Sequence, residues 1–239
     1  MTRLRITLAI AFACATTPAL AQVAPSISLA EQMRGMLSKP PAGTGAAPAM
    51  PAAPVFSPAP AVTSASALAA LNAPILVSGP TQVRQSATEL AQRFPAQHRG
   101  AMTKAYEESF VFWQKLETQL GLTPNDVAAG VAAFIAGNYS AFMQQQVPDE
   151  DFKSLVLQMQ DLLKQNASFT QSPPAAKRAM FEQLAMVGTF MAVYREHLNQ
   201  KPNANEEINF RNSAKANLEV ALGLPVERIQ IGHQGLIAR

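Results

Sequence analysis

The stretch NDVAAGVAAFIAGNYSAFMQQQ, from Asn125 to Gln146, predicts a helix with small side chains on most of its faces. Alanine is the strongest helix former, and short side chains let neighbouring helices approach closely. Asn138 lies among bulky apolar residues of the same segment, so we expect its side chain to be buried and hydrogen-bonded. We therefore place this helix, which extends to about Gln145, at the centre of the fold.

Two similar stretches, LETQLGLTP (residues 116–124) and LEVALGLPV (residues 218–226), raise the question of a duplicated functional element. In each, a helical pattern ends at leucine, a glycine follows, and a second leucine can fold back onto the last helical turn. This order is typical of a Schellman-type helix stop, in which the glycine adopts the left-handed conformation. The residues assigned to the two stops are Gly121, Leu122, Gly223 and Leu224. Thr123 and Pro124 then predict the N-cap and the first residue of the central helix.

Other segments of the chain repeat apolar residues every three to four positions, which is the spacing of one buried helix face. These helices are predicted over residues 82–94, 96–120, 149–166, 175–199 and from 203 or 205 to 222, with a weaker helix over 62–71. The tail PVERIQIGHQGLIAR (225–239) alternates loosely and predicts a short extended segment on the bundle. The sequence thus predicts an all-α domain over residues 61–239, a single compact bundle of five or six main helices.

The first residues contain the three parts of a secretory signal peptide. Arg3 and Arg5 precede the apolar run ITLAIAFACA (6–15), and the small residues of ALAQ predict cleavage after Ala21. The run is too short to remain as a membrane anchor. We therefore expect a periplasmic or extracellular protein without a permanent transmembrane anchor. Cys14 is the single cysteine and leaves with the signal peptide, which predicts a mature chain without disulfides or thiol chemistry.

A proline- and alanine-rich arm is predicted between the signal peptide and the helical domain, over residues 22–60. Ten prolines fall between residues 22 and 80, and proline blocks helix continuation, so we expect this arm to be disordered. One island, SISLAEQMRGML (26–37), has a capping box and apolar residues at helical spacing, which predicts a short helix over 28–37. It is either a marginal helix near a free N-terminus or a docking peptide for the groove of a partner protein. The candidate docking residues are Leu29, Met33, Met36 and Leu37.

The charge balance argues against nucleic-acid binding. The full chain has 19 basic and 16 acidic residues. Once Arg3 and Arg5 have left with the signal peptide, 17 basic residues remain against the same 16 acidic ones, a net charge of +1. Nucleic-acid binding needs basic residues clustered on one face, and the sequence has no such cluster.

The sequence contains no recognisable catalytic or metal-binding pattern. His98, His197 and His233 lie in separate elements, and none has a second ligand at metal-binding spacing. We therefore predict no catalytic residues, no metal and no cofactor. Glu107 and Glu108 form the best acidic pair for acid–base catalysis. Adjacent helical residues point in different directions, however, so this pair does not converge on one bond.

Three stretches of the chain resemble an uncharacterised family of exported proteobacterial proteins with a domain of unknown function. They are VFSPAPAVTSASALAAL, LGLTPNDVAAGVAAFIAGNYSAF and ALGLPVERIQIGHQGL, and together they cover roughly residues 55–236. Members are similar in having a signal peptide, a Pro/Ala-rich lead-in, a GL-P-N helix start and a closing pattern of GL, Arg and Gly. The family often has more tryptophan on the helix after the asparagine, whereas Trp113 is the single tryptophan here. The resemblance implies an exported helical protein and assigns no catalytic residues.

Two classes of function remain. The first is a non-enzymatic exported binding protein, whose partner is a protein of the cell envelope reached through the N-terminal arm. The alternative is an envelope-acting hydrolase or lytic enzyme that uses Glu107 or Glu108 as its acid. The long arm and the lack of a catalytic constellation in the sequence favour the binding protein. A deep cleft around a carboxylate with a raised pKa would favour the hydrolase, and an exposed apolar groove would favour the binding protein.

Overall fold

The computed structural model describes residues 31–34 and 73–239. The predicted signal peptide, most of the arm and the weak helix at 62–71 lie outside the described residues. Residues 31–34 form a helical turn, which we call the N-terminal turn. The remaining described residues form a helical bundle followed by a small two-stranded sheet, which confirms the all-α prediction.

Seven α-helices follow one another between residues 83 and 222. They are α1 (Val83–Ala91), α2 (Ala96–Leu120), α3 (Val127–Met143), α4 (Asp149–Gln165), α5 (Ala167–Thr170), α6 (Pro174–Gln200) and α7 (Ala204–Leu222). A 3-10 turn, Val226–Arg228, leads into strands β1 (Ile229–Gly232) and β2 (Gly235–Ala238). Every main helix predicted between residues 82 and 222 is present, and only the four-residue α5 is new. None of the helices in the described part of the chain is long and apolar enough to cross a membrane.

Helix α3 is the centre of the bundle, as its small residues predict. Every residue over 127–141 is buried, and the helix contacts α4, α6 and α7. Its backbone touches that of α6: a Cβ built on Gly137 would lie 2.0 Å from the carbonyl oxygen of Gly188. A Cβ on Gly188 would lie 2.2 Å from the carbonyl oxygen of Ala133. Since no side chain fits at either glycine, the two glycines set the separation of the helices.

Asn138 is a buried polar residue in the middle of α3. Its side chain is fully buried, and its Nδ2 donates to the carbonyl oxygen of Phe134 over 2.8 Å. Its Oδ1 accepts a hydrogen bond of 2.8 Å from Nδ2 of Asn217, which is also fully buried. Two buried amides that bond each other are satisfied without water. The pair therefore fixes α7 against α3 at one register.

The central helix begins three residues later than predicted, and Thr123 is not its N-cap. Asp126 has the extended backbone of an N-cap, and its Oδ1 accepts from the backbone N–H of Ala128 over 3.1 Å. Asn125 has a φ of +65°, which interrupts any helix between Pro124 and Asp126. Pro124 therefore belongs to the turn before the helix and is not its first residue.

Both predicted helix stops contain a left-handed glycine. Gly121 and Gly223 have a φ of +68°. At the end of α2, the backbone N–H of Leu122 donates to the carbonyl oxygen of Glu117 over 2.9 Å, which is the defining bond of the Schellman motif. The end of α7 has the single bond of the simpler left-handed motif instead. Leu122 and Leu224 pack against the core in both cases.

The chain segment before α1 is held along the start of α3. The backbone N–H of Val77 donates to the carbonyl oxygen of Asn125 over 3.0 Å. Arg178 of α6 is buried and donates to the carbonyl oxygens of Val77 and Gly79, over 3.3 and 3.1 Å. The same guanidinium donates to Oδ1 of Asn125 over 2.7 Å. One arginine therefore joins three separate parts of the chain.

Helix α1 receives its N-terminal cap from another helix. Glu182 of α6 is fully buried, and its carboxylate accepts from the backbone N–H of Gln82 and from Oγ of Ser86, both over 2.9 Å. A carboxylate at a helix N-terminus satisfies unpaired N–H groups and interacts favourably with the helix dipole. The contact fixes α1 on α6 and so forms one side of the cleft described below.

The C-terminal tail forms a β-hairpin against α4, whereas the sequence predicts only an extended segment. Ile229 and Ile231 of β1 are buried. The side chain of Gln158 binds the outer strand at both polar atoms: its Nε2 donates to the carbonyl oxygen of Leu236 over 2.9 Å, and its Oε1 accepts from the Leu236 N–H over 2.7 Å. An amide side chain thus pairs with β2 as a neighbouring strand would.

Candidate functional site

The N-terminal turn is packed against the helical bundle. Met33 is 0% exposed and belongs to the hydrophobic core, while Glu31, Gln32 and Arg34 are exposed. A methionine side chain is long, unbranched and flexible, so it fills irregular gaps between helices. Its burial contributes roughly 1.5–3 kcal/mol. Met33 is therefore the apolar anchor of the turn.

An open cleft of about 520 Å³ lies beside this turn. Its walls come from α1 and from the first half of α6, and the N-terminal turn closes one side. The lining residues are Gln32, Glu89, Leu90, Gln92, Arg93, Ala176, Ala179, Met180 and Gln183. Leu90 and Met180 are buried and form an apolar floor, and the other large side chains form a polar rim. An apolar floor with a few polar groups around it is the usual composition of a binding site.

Arg34 joins the turn to the end of another helix. A Cβ built on Gly223 would lie 3.4 Å from both Nε and Nη2 of Arg34, so the guanidinium covers the C-terminal end of α7. The last carbonyl groups of a helix carry partial negative charge and favour a cation at this position. Met33 and Arg34 therefore attach the turn at two points, one apolar and one electrostatic.

Polar side chains hold the two walls of the cleft together. The Glu89 carboxylate accepts from Nε2 of Gln183 on the opposite wall over 2.8 Å, and from Nε2 of Gln85 over 3.0 Å. Burial lowers the pKa of Arg93, although the neighbouring Tyr106 opposes the change. Burial also raises the pKa of Tyr106. The rim of the cleft thus contains a carboxylate and a partly desolvated guanidinium.

Of the four candidate docking residues in the sequence, one lies among the described residues. Leu29, Met36 and Leu37 lie outside them. Met33 is placed in the core of the chain's own domain, so the N-terminal turn is docked on the domain to which it is attached. The open cleft between α1 and α6, which lies beside the docked turn, is the candidate interaction site.

Two buried carboxylates lie where α2 ends and α3 begins. Asp126 accepts from two backbone N–H groups and from Nε2 of Gln160, over 2.7 to 3.1 Å, and burial raises its pKa despite these bonds. Glu117 accepts from the backbone N–H of Asn125 over 3.3 Å. Burial raises the pKa of Glu117 to about 7, and the charge of Asp126 adds to this effect while the Asn125 bond opposes it. The pair is therefore strongly perturbed by its surroundings.

This carboxylate pair does not face either of the clefts described here. Glu117 and Asp126 are 3% and 2% exposed. A second, shallow depression lies on the outer face of α2 and is lined by Val111, Gln114, Lys115, Thr118 and Gln119. Glu117 and Asp126 line neither this depression nor the cleft between α1 and α6. Their contacts instead cap α3 and hold the preceding loop, which is a structural role.

Glu107 and Glu108, the acidic pair of the hydrolase hypothesis, form two separate ion pairs at the surface. A carboxylate oxygen of Glu107 lies 3.7 Å from a guanidinium nitrogen of Arg84, and one of Glu108 lies 3.7 Å from Nζ of Lys104. Neither glutamate lines either of the clefts described here. The structure does not bring the two carboxylates together over a common space.

The three histidines are also separate in the structure. His197 stacks on the ring of Tyr194, and Nδ1 of His233 lies 2.7 Å from Oδ1 of Asp151. Within residues 31–34 and 73–239, no group of three or more His, Cys, Asp or Glu residues is arranged to hold a metal ion.

Sequence reasoning missed the buried charged residues. The signal for Glu117 was available, because it lies four residues after the buried Trp113 on the apolar face of α2. Arg178 and Glu182 lie four residues apart on the buried face of α6 and could be found in the same way. A local pattern cannot identify the hydrogen-bond partners of these groups, because the partners are distant in the sequence. They lie 53 to 101 positions from Arg178 and 96 to 100 positions from Glu182.

Comparison with known proteins gives a family and no activity. A model described as a family of unknown function (DUF6683) matches residues 2–239. No curated protein and no solved structure matches the chain. The matched range includes the bundle, the N-terminal turn and the hairpin. The chain therefore belongs to the family of unknown function DUF6683.

Proposed function

We propose that this protein is an exported, non-enzymatic interaction protein that binds a protein partner of the cell envelope. The cleft between α1 and α6 is the binding site of this proposal. One observation carries it: the bundle already holds a short helical segment beside this cleft, with Met33 fully buried. Beside this turn, the cleft has an apolar floor of Leu90 and Met180 within a polar rim, which is the composition that a groove for a helical segment needs.

Capture of the partner can be tested with a photoreactive amino acid placed on the cleft wall. The full chain with the probe at Gln183 is expressed in its native cells and irradiated. The matched position is Gln114, which lines the shallow depression on α2. We expect discrete crosslinked species from Gln183 that are absent from Gln114, identified by mass spectrometry.

A pair of substitutions on α6 separates cleft binding from general surface contact. Ala179 lines the cleft, and Ala192 is equally half-buried on the same helix but does not line it. We expect Ala179→Arg to remove the Gln183 crosslinks and Ala192→Arg to preserve them. Crosslinks that survive Ala179→Arg, or none above the Gln114 background, would contradict the proposal.

Export is a separate part of the proposal and has its own test. The signal-peptide pattern supports cleavage after Ala21, so the mature protein is expected to begin at Gln22. N-terminal sequencing of protein from fractionated cells checks this. An Ile10→Arg substitution in the apolar run should retain the chain in the cytoplasm with its first 21 residues. Wild-type protein found in the cytoplasm with an intact N-terminus would contradict export.

A further inference from the structure

We propose that residues 73–79, which we call the strap, form a pH-sensitive latch on the start of α3. The strap is closed while the carboxyl group of Glu117 is protonated, and it opens as that group ionises beside Asp126. The inference is independent of the cleft between α1 and α6, because no residue of the strap lines that cleft. The latch controls the exposure of apolar side chains that the strap places against the core.

The strap is held on the bundle by the residues at the start of α3. The backbone N–H of Ile75 donates to Oδ1 of Asp126 over 3.0 Å. The backbone N–H of Val127 donates to the carbonyl oxygen of Ile75 over 2.9 Å, and that of Val77 donates to the carbonyl oxygen of Asn125 over 3.0 Å. The two backbone bonds form an isolated antiparallel bridge. Movement of this short stretch of α3 therefore breaks all three bonds together.

The strap covers part of the hydrophobic core. Val77 is buried and Ile75 packs against the buried cluster, whereas Leu76 between them is exposed. This alternation is that of an extended segment with one buried face. Opening of the strap therefore transfers two apolar side chains, and the surface beneath them, from the core to solvent. The closed strap hides an apolar surface that the open strap presents.

The carboxyl group of Glu117 acts on the same residues. It is 3% exposed and accepts from the backbone N–H of Asn125, whose carbonyl oxygen receives the bond from Val77. Oδ1 of Asn125 accepts from Arg178. The same guanidinium donates to the strap at the carbonyl oxygens of Val77 and Gly79. Asn125 therefore connects Glu117 both to the strap and to the arginine that holds the strap.

The surroundings of Glu117 oppose its ionisation. Burial raises its pKa to about 7, and the charge of Asp126 adds to this effect, while the bond from the Asn125 N–H opposes it without outweighing burial. Two cations lie nearby on other helices, and each acts on a different group. Lys164 of α4 interacts with the charge of Asp126, and Arg178 of α6 binds the side chain of Asn125. Ionised Glu117 therefore adds negative charge to a buried place that already contains a carboxylate.

Opening of the strap removes this opposition. When residues 125–127 move away, Glu117 meets water and its pKa returns to the ordinary value of 4.5. The closed form then binds the proton more tightly than the open form. The closed form is favoured most below about pH 4.5, and this advantage is lost as the pH rises through about 7. For this one group, the ratio of open to closed molecules increases about 70-fold from pH 5 to pH 8.

Native-state hydrogen exchange of the full chain, followed by NMR at the amides of Ile75 and Val77, tests the latch. Protection factors remove the intrinsic effect of pH on exchange. We expect them to fall by about 70-fold from pH 5 to pH 8 in the wild type. In Glu117→Gln, whose side chain cannot ionise, they should change far less. Glu107→Gln, in an exposed ion pair, is the matched control and should follow the wild type.

Urea separates opening of the strap from unfolding of the whole chain. A short segment exposes little surface when it opens, so exchange at Ile75 and Val77 should depend weakly on urea. Exchange at Phe134, in the buried middle of α3, should depend steeply on urea. These measurements on the wild type test the latch even if Glu117→Gln does not fold.

Three results would overturn the latch. Equal urea dependence at Ile75, Val77 and Phe134 at pH 8 would mean that the strap opens only when the whole chain unfolds. Constant protection of the strap in the wild type from pH 5 to pH 8 would mean that the strap does not respond to pH. An equal response in the wild type and in Glu117→Gln would mean that another group controls the strap.

Discussion

Glu117 shows how one buried residue affects the stability of the whole molecule. Its carboxyl group is buried beside Asp126, and burial raises its pKa from 4.5 to about 7. The folded chain therefore binds this proton more tightly than the unfolded chain. The resulting stabilisation is fully present below about pH 4.5 and is lost as the pH rises through about 7.

This behaviour predicts a pH-dependent effect of Glu117→Gln. Glutamine mimics the protonated carboxyl group at all pH values, so the variant should lose the contribution of this site to pH dependence. From pH 4.5 to 8, we expect the wild-type free energy of unfolding to fall by roughly 3 kcal/mol relative to the variant. Urea unfolding at a series of pH values measures the difference. Glu107→Gln, in an exposed ion pair, is the control and should run parallel to the wild type.

Asp126 does not confuse that experiment. It is present in both chains, so subtraction of the two unfolding curves leaves only the change in its titration that follows from removing the Glu117 charge. Curves for wild type and Glu117→Gln that remain parallel across the range would show that Glu117 titrates as an ordinary glutamate.

At the scale of elements, the contact between α3 and α6 has no space for additional atoms. We expect Gly188→Ala to destabilise the protein by about 3 kcal/mol or more, because its Cβ would lie 2.2 Å from the carbonyl oxygen of Ala133. Gly100→Ala is the matched control, since that glycine is also helical and has nothing within 4 Å. It should stabilise by roughly 0.5–1 kcal/mol. Thermal melts compare the stabilities of the two variants. Equal changes in melting temperature would contradict close backbone packing between α3 and α6.

A side chain at either helix stop is expected to destabilise the fold for a different reason, the backbone conformation of the glycine. Gly121 has open space around it but a φ of +68°, so the penalty for a side chain there is conformational. We expect Gly121→Val to destabilise by roughly 1–2 kcal/mol or more. Gly223→Val should add crowding against Arg34, which lies 3.4 Å from the position of the new Cβ. Unchanged melting temperatures for both variants would refute the left-handed stops.

The same elements show how far the sequence could predict the structure. Periodicity placed α2 at its observed bounds, and small residues placed α3 at the centre, because both signals are local. The predicted start of α3 was wrong because threonine and aspartate both favour the N-cap position, so Thr123 and Asp126 compete for it. The carboxylate of Asp126 is favoured by donors from Ile75 and Gln160, which lie 51 and 34 positions away. The hairpin depends in the same way on Gln158, 78 positions from Leu236.

The candidate site was predictable only in part. The sequence selected Met33 for its helical spacing but gave no indication of which groove would receive it. The cleft beside the docked turn is formed by α1 and α6, whose lining residues lie more than 80 positions apart. Composition can identify an apolar segment that needs a partner, whereas the partner's surface exists only after folding.

At the scale of the whole molecule, Arg178 joins the segment before α1, the turn before α3 and the start of α6. We expect Arg178→Met to destabilise by roughly 2–4 kcal/mol, because it leaves the carbonyl group of the buried Val77 without this donor and breaks the bonds to Gly79 and Asn125. Hydrogen exchange at the Val77 amide should accelerate more than exchange in α3. Arg84→Met is the control, because that side chain is exposed and its ion pair is 3.7 Å long. Similar losses for both variants would contradict the central role of Arg178.

The cap of α1 also has a consequence for the order of events during synthesis. The backbone N–H of Gln82 and the hydroxyl group of Ser86 can donate to Glu182 only after the ribosome has added that residue, 100 and 96 positions later. Closing so long a loop is slow and brings little benefit before α6 itself has formed. The N-terminus of α1 therefore obtains its cap only after most of the chain has been made.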